Sequence, residues 1–287
     1  MKSPVAMQRF APAKVNLSLR VLGRRPDGYH AIETVLVPLT LGDLVEVSLG
    51  GRGVTLVSND PGLPKNEDNL AVRAAARFLA EAGLRRGVRI GIGKTIPVAA
   101  GLGGGSSDAA AVLTALNALT GKPLSKKALA ALALSLGADV PFFLGAGPAL
   151  ARGIGEILTP LPALPPAWFV LVNPGFEIRA AWAYGRWREA LTTPPPHPKV
   201  PPFSRDWSNL GASLSSDLEA VILPRYPVLR RLKERLIGLG AVGALVSGSG
   251  PTVFGVFREA TGAQRAFEAL RLAPRWQVFL ARALQPA

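Results

Sequence analysis

Residues 97–107 read Pro-Val-Ala-Ala-Gly-Leu-Gly-Gly-Gly-Ser-Ser and run at once into an alanine- and leucine-rich segment with helical character from about Asp108 to Leu119. Glycine lets the backbone adopt positive φ and lets a ligand approach the main chain closely. N–H groups exposed at the mouth of a helix, aided by its dipole, form an anion site. A phosphate chain suits such a loop, which points to nucleotide-dependent chemistry. The loop is neither of the two commonest phosphate motifs. A P-loop needs a lysine directly after its last glycine, and none follows here. A dinucleotide fingerprint is one residue longer and wants an acidic residue about 20 positions on, where this chain offers Lys126 and Lys127. The competing reading is a turn that merely joins a strand to a helix, but turns seldom need four glycines followed by paired serines.

Other short segments also carry chemistry. Pro12-Ala13-Lys14-Val15-Asn16-Leu17 presents an ammonium and an amide, and Asp27-Gly28-Tyr29-His30 an aromatic face and an imidazole. Gly137-Ala138-Asp139-Val140-Pro141 holds a carboxylate where a helix breaks, and Ser247-Gly248-Ser249-Gly250-Pro251 is a second glycine-rich turn. Taken singly, Asp139 also suits a helix-terminal cap, Lys14 a solvated strand position, and the 247–251 glycines a tight hairpin.

The elements that must position these groups follow from periodicity. Val15, Leu17, Leu19 and Val21 alternate with Asn16, Ser18 and Arg20, which predicts a strand. Arg24 to Gly28 is turn chemistry, and 32–39 and 43–49 are further strands. A helix starts at Asn66–Asn69 and ends at Gly83, and a strand over 87–94 leads into the glycine loop. Ser125 caps a helix reaching about Leu136. Strands follow at 149–156 and 169–173, and helices at 214–222 and 227–238. The last unit is strand, glycine turn, strand, helix near 262–271 and a strand near 277–281. Residues 192–202, dense in proline, read as an exposed stiff linker. Strands mixed with helices, without regular βαβ alternation, predict an α+β fold in two lobes.

Composition narrows the class. The 287 residues suit one large or two modest domains, and 48% hydrophobic against 18% charged residues is globular rather than disordered. Cysteine is absent, which excludes disulfides, thiolate metal sites and a cysteine nucleophile. The N-terminus reaches Lys14 without an apolar signal core, so a cytoplasmic location is expected. The charge-free stretch Leu236–Phe257 contains six glycines and Pro251, which reads as helix end, strand, turn and strand rather than a membrane span. The net charge of +14 favours anionic partners, yet basic residues are not interleaved with aromatics as on an RNA-binding face. Arginine enrichment from a GC-rich genome explains the charge equally well.

Together, Pro-Ala-Lys-Val-Asn-Leu at 12–17, Asp-Gly-Tyr-His at 27–30, Gly-Leu-Gly-Gly-Gly-Ser-Ser-Asp-Ala-Ala at 101–110, the 137–141 segment and the 247–251 turn resemble the GHMP small-molecule kinases. Within them, the chain resembles the branch that phosphorylates the 2-hydroxyl of a cytidine-diphosphate-linked methylerythritol on the non-mevalonate route to isopentenyl diphosphate. The resemblance runs from Ala11 to about Phe257 with motif order intact, and Asp-Gly-Tyr-His is its most discriminating part. It implies a ribosomal-protein-like N-terminal lobe plus a ferredoxin-like C-terminal lobe, divided as an ATP-binding domain over 1–155 and a domain contributing to the substrate cleft over 156–287.

The resemblance also implies ATP as co-substrate with Mg²⁺. It makes Asp139 the base that takes the hydroxyl proton, with Lys14 beside it to stabilise developing negative charge. Pro97, Val98, Ala99, Ala100, Gly101, Leu102, Gly103, Gly104, Gly105, Ser106 and Ser107 would wrap the phosphates, a serine hydroxyl assisting near the metal. Asn69 and Lys94 would lie near the adenosine. Asn16 would contact substrate hydroxyls, and Tyr29 and His30 would form a cytosine site, joined by Tyr184, with Phe176 and Trp182 as competitors. Arg20, Arg24 and Arg179 are candidates for the diphosphate, and no metal ligand is named. The implied partner is the small-molecule substrate, without nucleic acid or membrane, in a monomer or weak homodimer. The alternatives are a GHMP kinase of homoserine or mevalonate type, and a basic nucleic-acid-binding protein. The Pro194–Pro202 segment departs from the family pattern and bears on the region near Tyr184.

Overall fold

The computed structural model describes residues 6–145, 147–190, 210–211 and 213–284. Two compact units interleave along the chain: Met1–Ala13, Gly42–Val98 and Gly103–Ala146 make the first, and Lys14–Leu41, Ala99–Leu102 and Gly147–Ala287 the second. The interleaving arises from two long strands, β1 (Ala6–Arg24) and β2 (His30–Leu49), each of which begins in one unit and ends in the other. The expected strands at 32–39 and 43–49 are thus one continuous strand.

In the first unit, the end of β2 pairs antiparallel with β4 (Val88–Gly93), which pairs parallel with β3 (Val54–Ser58). Helix α1 (Leu70–Glu81) is the crossover that a parallel β3–β4 pair requires. Asn69 caps it by accepting from the Ala71 N–H, and Gly83 at φ 64° turns the chain away. Helix α2 (Gly104–Leu119) is apolar nearly all round and buried, while α3 (Lys126–Leu136) starts at Ser125 as expected. The core joins Val45, Val47, Ile90 and Ile92 of the sheet to Phe78 of α1 and Val112, Leu113 and Leu116 of α2.

In the second unit, β5 (Ala149–Gly153) pairs with Ile32–Leu36 of β2 and forms a hairpin with β6 (Ile157–Pro160). A second sheet has the antiparallel order β11 (Gln277–Arg282), β7 (Trp168–Asn173), β10 (Val253–Phe257), β9 (Gly243–Val246). With α6 (Pro227–Gly238) between β7 and β9, and α7 (Ala260–Arg271) between β10 and β11, this is the ferredoxin-like βαββαβ arrangement. The chain is α+β, as the sequence predicts. The 236–257 stretch is a helix end, a strand, a turn and a strand, and no described helix is long and apolar enough to cross a membrane.

Some elements differ from expectation. The helix expected at 214–222 is the two-residue strand β8 (Ser215–Ser216) followed by α5 (Glu219–Arg225). Ser215 and Ser216 extend the sheet beside Ser18 and Leu19 of β1, and Asp217 continues it by accepting from the Val21 N–H. β3, β6 and α4 (Ala180–Ala190) carry weak patterns and were not expected. The proline-dense 192–202 segment lies outside the described residues.

Candidate active site

The glycine loop has its flanks in the first unit and its middle, Ala99–Leu102, in the second. At the exit flank Gly103 takes φ 72° as the N-cap of α2, with no side chain capping the first turn. Four N–H groups at a helix start lack intrahelical partners, so this uncapped turn is a donor cluster suited to anionic oxygens. α2 begins at Gly104, earlier than the expected Asp108, because both glycines enter the helix. At Gly104 a Cβ would stand 3.0 Å from Lys94 Nζ and 3.0 Å from Ile96 Cγ2, so a larger residue would crowd both side chains. Ser107 Oγ is buried without a hydrogen-bond partner.

At the entry flank, Asp43 Oδ1 accepts from the N–H groups of Thr95 (2.6 Å) and Ile96 (2.8 Å). Lys94 Nζ donates to Asp43 Oδ2 and, at 3.0 Å, to Asp108 Oδ2. Burial pushes the Asp108 carboxyl up to about 7, with Lys94 opposing the rise and the Asp43 carboxylate adding to it. Asn69 and Lys94 therefore both engage protein groups: the Asn69 amide caps α1 and donates to Pro64 O.

In the second unit, Lys14 and Asn16 share one face of β1, as residues two apart on a strand must. Lys14 Nζ donates to Asn16 Oδ1 (2.7 Å), Asn16 Nδ2 donates to Thr34 Oγ1 (2.8 Å), and Thr34 Oγ1 donates to Ser18 O. This relay is buried and fixes the amide's orientation as well as the ammonium's position. The loop middle is tied to the same strand, since Lys14 N–H donates to Leu102 O (2.9 Å). It is also tied to the second glycine turn, where Ser247 Oγ donates to Gly101 O (3.0 Å) and Thr252 N–H to Ala100 O (3.3 Å). A Cβ on Gly248 would meet Asn16 Oδ1 at 3.4 Å and Lys14 Nζ at 3.5 Å, so the 247–251 turn covers the relay.

A third cluster joins His30, at the start of β2, to α4. The His30 and Tyr184 rings stack at 5.5 Å with a 26° interplanar angle, and Trp187 meets His30 edge-on at 6.2 Å. Phe176 and Trp182, the competitors of Tyr184, pack on Tyr226 instead. Tyr29, next to His30 in sequence, is 62% exposed. Asp139, in the first unit, is half-buried in the turn between α3 and the 3₁₀ turn Pro141–Leu144. The residue at the cap position of that turn is Val140, which makes no side-chain cap bond. Arg20 pairs with Glu33 at 3.4 Å.

Two family models match: the GHMP kinases N terminal domain over residues 69–147 and the GHMP kinases C terminal domain over 200–274. The 4-diphosphocytidyl-2-C-methyl-D-erythritol kinase of Geobacter metallireducens is 47% identical over 275 residues, covering 96% of this chain and 97% of that protein. The chain belongs to the 4-diphosphocytidyl-2-C-methyl-D-erythritol kinase family of the GHMP kinases. The Geobacter sulfurreducens enzyme of the same family is 47% identical over 262 residues, covering 91% of this chain and 93% of that protein. A crystal structure of 4-(cytidine 5'-diphospho)-2C-methyl-D-erythritol kinase superposes with a TM-score of 0.82 at 40% identity, covering 96% of this chain and 98% of that one. Homoserine kinase from Cytophaga hutchinsonii shares the fold at a TM-score of 0.75 and 22% identity, covering 99% of this chain and 98% of that one. The chain is an ATP-dependent small-molecule kinase.

Several residues that the structure brings into these clusters escaped sequence reasoning. Thr34 is found only through the pairing of β1 with β2, and Trp187 only through the stacking of α4 residues against His30. Asp43 and Asp108 look like ordinary surface charges in the sequence. Asp108 had one usable signal, its place directly after the paired serines.

Proposed function

We propose that the protein transfers the γ-phosphoryl group of ATP to the 2-hydroxyl of 4-diphosphocytidyl-2-C-methyl-D-erythritol, giving the 2-phosphate and ADP. The observation that carries the acceptor assignment is the stacked His30–Tyr184 pair with Trp187 at its edge. Aromatic faces and an imidazole suit a pyrimidine base, by stacking and by hydrogen bonding to its edge. Homoserine and mevalonate have no ring to stack. Tyr29 adds an exposed aromatic face to this cytosine site, and Asn16 meets substrate hydroxyls from the Lys14 strand.

Phosphoryl transfer leaves the protein little covalent chemistry, so positioning and charge stabilisation carry the rate. Asp139 accepts the hydroxyl proton, and Lys14, fixed by the Asn16–Thr34 relay, stabilises the negative charge that develops. Residues 97–107 cradle the phosphates through main-chain N–H groups at the uncapped start of α2. We assign Asn69 and Lys94 to shaping the adenosine side, since their polar groups already engage the protein. Residues 1–155 form the nucleotide domain and 156–287 the domain contributing to the substrate cleft. The matched family segments, 69–147 and 200–274, fall on either side of that division.

Kinase chemistry of this kind calls for Mg²⁺, which would supply positive charge to offset that of the phosphates. Among the described residues no group of three or more His, Asp or Glu side chains is placed to hold a metal ion. The buried, unpartnered Ser107 hydroxyl at the mouth of α2 is the protein oxygen suited to assist it.

Asp139→Asn tests the assignment. Turnover should fall by orders of magnitude while ATP binding, measured by calorimetry, survives. Near-normal turnover would remove Asp139 as the base.

A further inference from the structure

We propose that Asp43 and Asp108 are positioning residues for ATP: with Lys94 they clamp the base of the glycine loop and hold it in its phosphate-binding form. The proposal rests on the reading of residues 97–107 as the nucleotide cradle. The clamp grips the loop on both sides. Asp43, on β2, fixes the entry through the N–H groups of Thr95 and Ile96 and the ammonium of Lys94. Lys94 then reaches across to Asp108 in α2, fixing the exit 14 residues later. The loop rises from between these two fixed points.

All three charged side chains are nearly inaccessible: 5% exposed for Lys94, 0% for Asp43 and 3% for Asp108. Taking ions out of water costs several kcal/mol each, and apolar residues of similar volume usually stabilise a core as well or better. Core stability is therefore a poor reason for this trio, whereas directional bonds to two backbone N–H groups and a helix are what a fixed loop geometry needs. Gly104 supports the same conclusion, because its missing side chain makes the space Lys94 Nζ occupies. Without the clamp, the chain between Lys94 and Asp108 samples other arrangements, and ATP must then order it on binding.

Removing the Asp108 carboxylate leaves Lys94 paired with Asp43 and no backbone donor orphaned, so Asp108→Ala is the variant to make. We expect a folded protein whose loop amides, residues 98–103, exchange hydrogen at least tenfold faster. Its ATP affinity should fall about tenfold or more, with KM for the cytidyl acceptor unchanged. Asp108→Asn, which keeps an acceptor for Lys94, should recover part of both effects. Unchanged loop exchange in folded Asp108→Ala overturns the clamp. Faster loop exchange with wild-type ATP affinity instead overturns the nucleotide role of the loop, and with it the positioning of ATP by these residues.

Discussion

Two glycines of the loop, four residues apart, should respond to alanine with opposite signs. Gly101 has φ 77°, and a Cβ there would stand 2.4 Å from Ser247 O and 2.9 Å from Gly250 O. The left-handed backbone costs an L-residue about 1–2 kcal/mol. Relieving contacts with two backbone oxygens about 0.5–1 Å too close adds about 1–3 kcal/mol, as for other overpacked sites. Gly101→Ala should therefore lose about 2–5 kcal/mol, which lowers Tm by about 3–8 °C for a chain of this size. At Gly105 the nearest atom to a Cβ is Leu70 Cδ1 at 3.7 Å, and the residue lies inside α2. Gly105→Ala should raise stability by about 0.5–1 kcal/mol through the smaller entropy of the unfolded chain. Its new methyl nevertheless stands at the mouth of the helix where phosphate must approach, so KM for ATP should rise about tenfold or more. Calorimetric unfolding and steady-state kinetics read both quantities. A Gly101→Ala protein as stable as wild type, or a Gly105→Ala protein that is less stable or keeps its ATP affinity, would refute the reasoning.

Tyr184→Ala should raise KM for the cytidyl acceptor at least tenfold while leaving KM for ATP alone, whereas Phe176→Ala should leave KM for the acceptor within twofold because its ring packs on Tyr226. Equal acceptor KM values for the two variants would remove Tyr184 from the cytosine site. Burial holds the Asp108 carboxyl at about 7, against about 4 for an exposed aspartate, so between those values the folded chain binds more protons than the unfolded one and stability falls as pH rises. Urea unfolding at pH 5 and pH 8 should show wild type losing more stability than Asp108→Asn, which cannot ionise. The extra loss approaches about 1.4 kcal/mol for each pH step of one between about 4 and about 7, and levels off above that. Parallel pH dependence of the two proteins would contradict the buried carboxyl as the source.

The parts of the candidate site legible in sequence are those written locally. The glycine loop, the Lys14–Asn16 strand and the Asp139 turn each lie within a dozen consecutive residues, where spacing alone reports conformation. Tyr184 was legible only as one aromatic among three, and the structure separates it from Phe176 and Trp182 because α4 turns its ring onto His30. The clamp was not legible. Asp43 and Lys94 are 51 residues apart and meet through the pairing of β2 with β4, a register that depends on the whole sheet. Of the fold, capped helices such as α1 and α3 were readable from Asn69 and Ser125. The helix expected at 214–222 starts late because Ser215 and Ser216, weak helix formers, are drawn into pairing with β1. The continuity of β2 across Gly42 was equally hidden. Its tightness shows only in three dimensions, where a Cβ would collide with the Phe10 ring at 2.4 Å.

The central claim is the reaction itself, and the identity of the product tests it most directly. The purified protein, supplied with ATP, Mg²⁺ and 4-diphosphocytidyl-2-C-methyl-D-erythritol, should form ADP and, in equal amount, a new phosphomonoester whose phosphorus-31 resonance is assigned to the 2-position. ADP formation that depends instead on homoserine or mevalonate, or a phosphate on another hydroxyl of the cytidyl substrate, would contradict it.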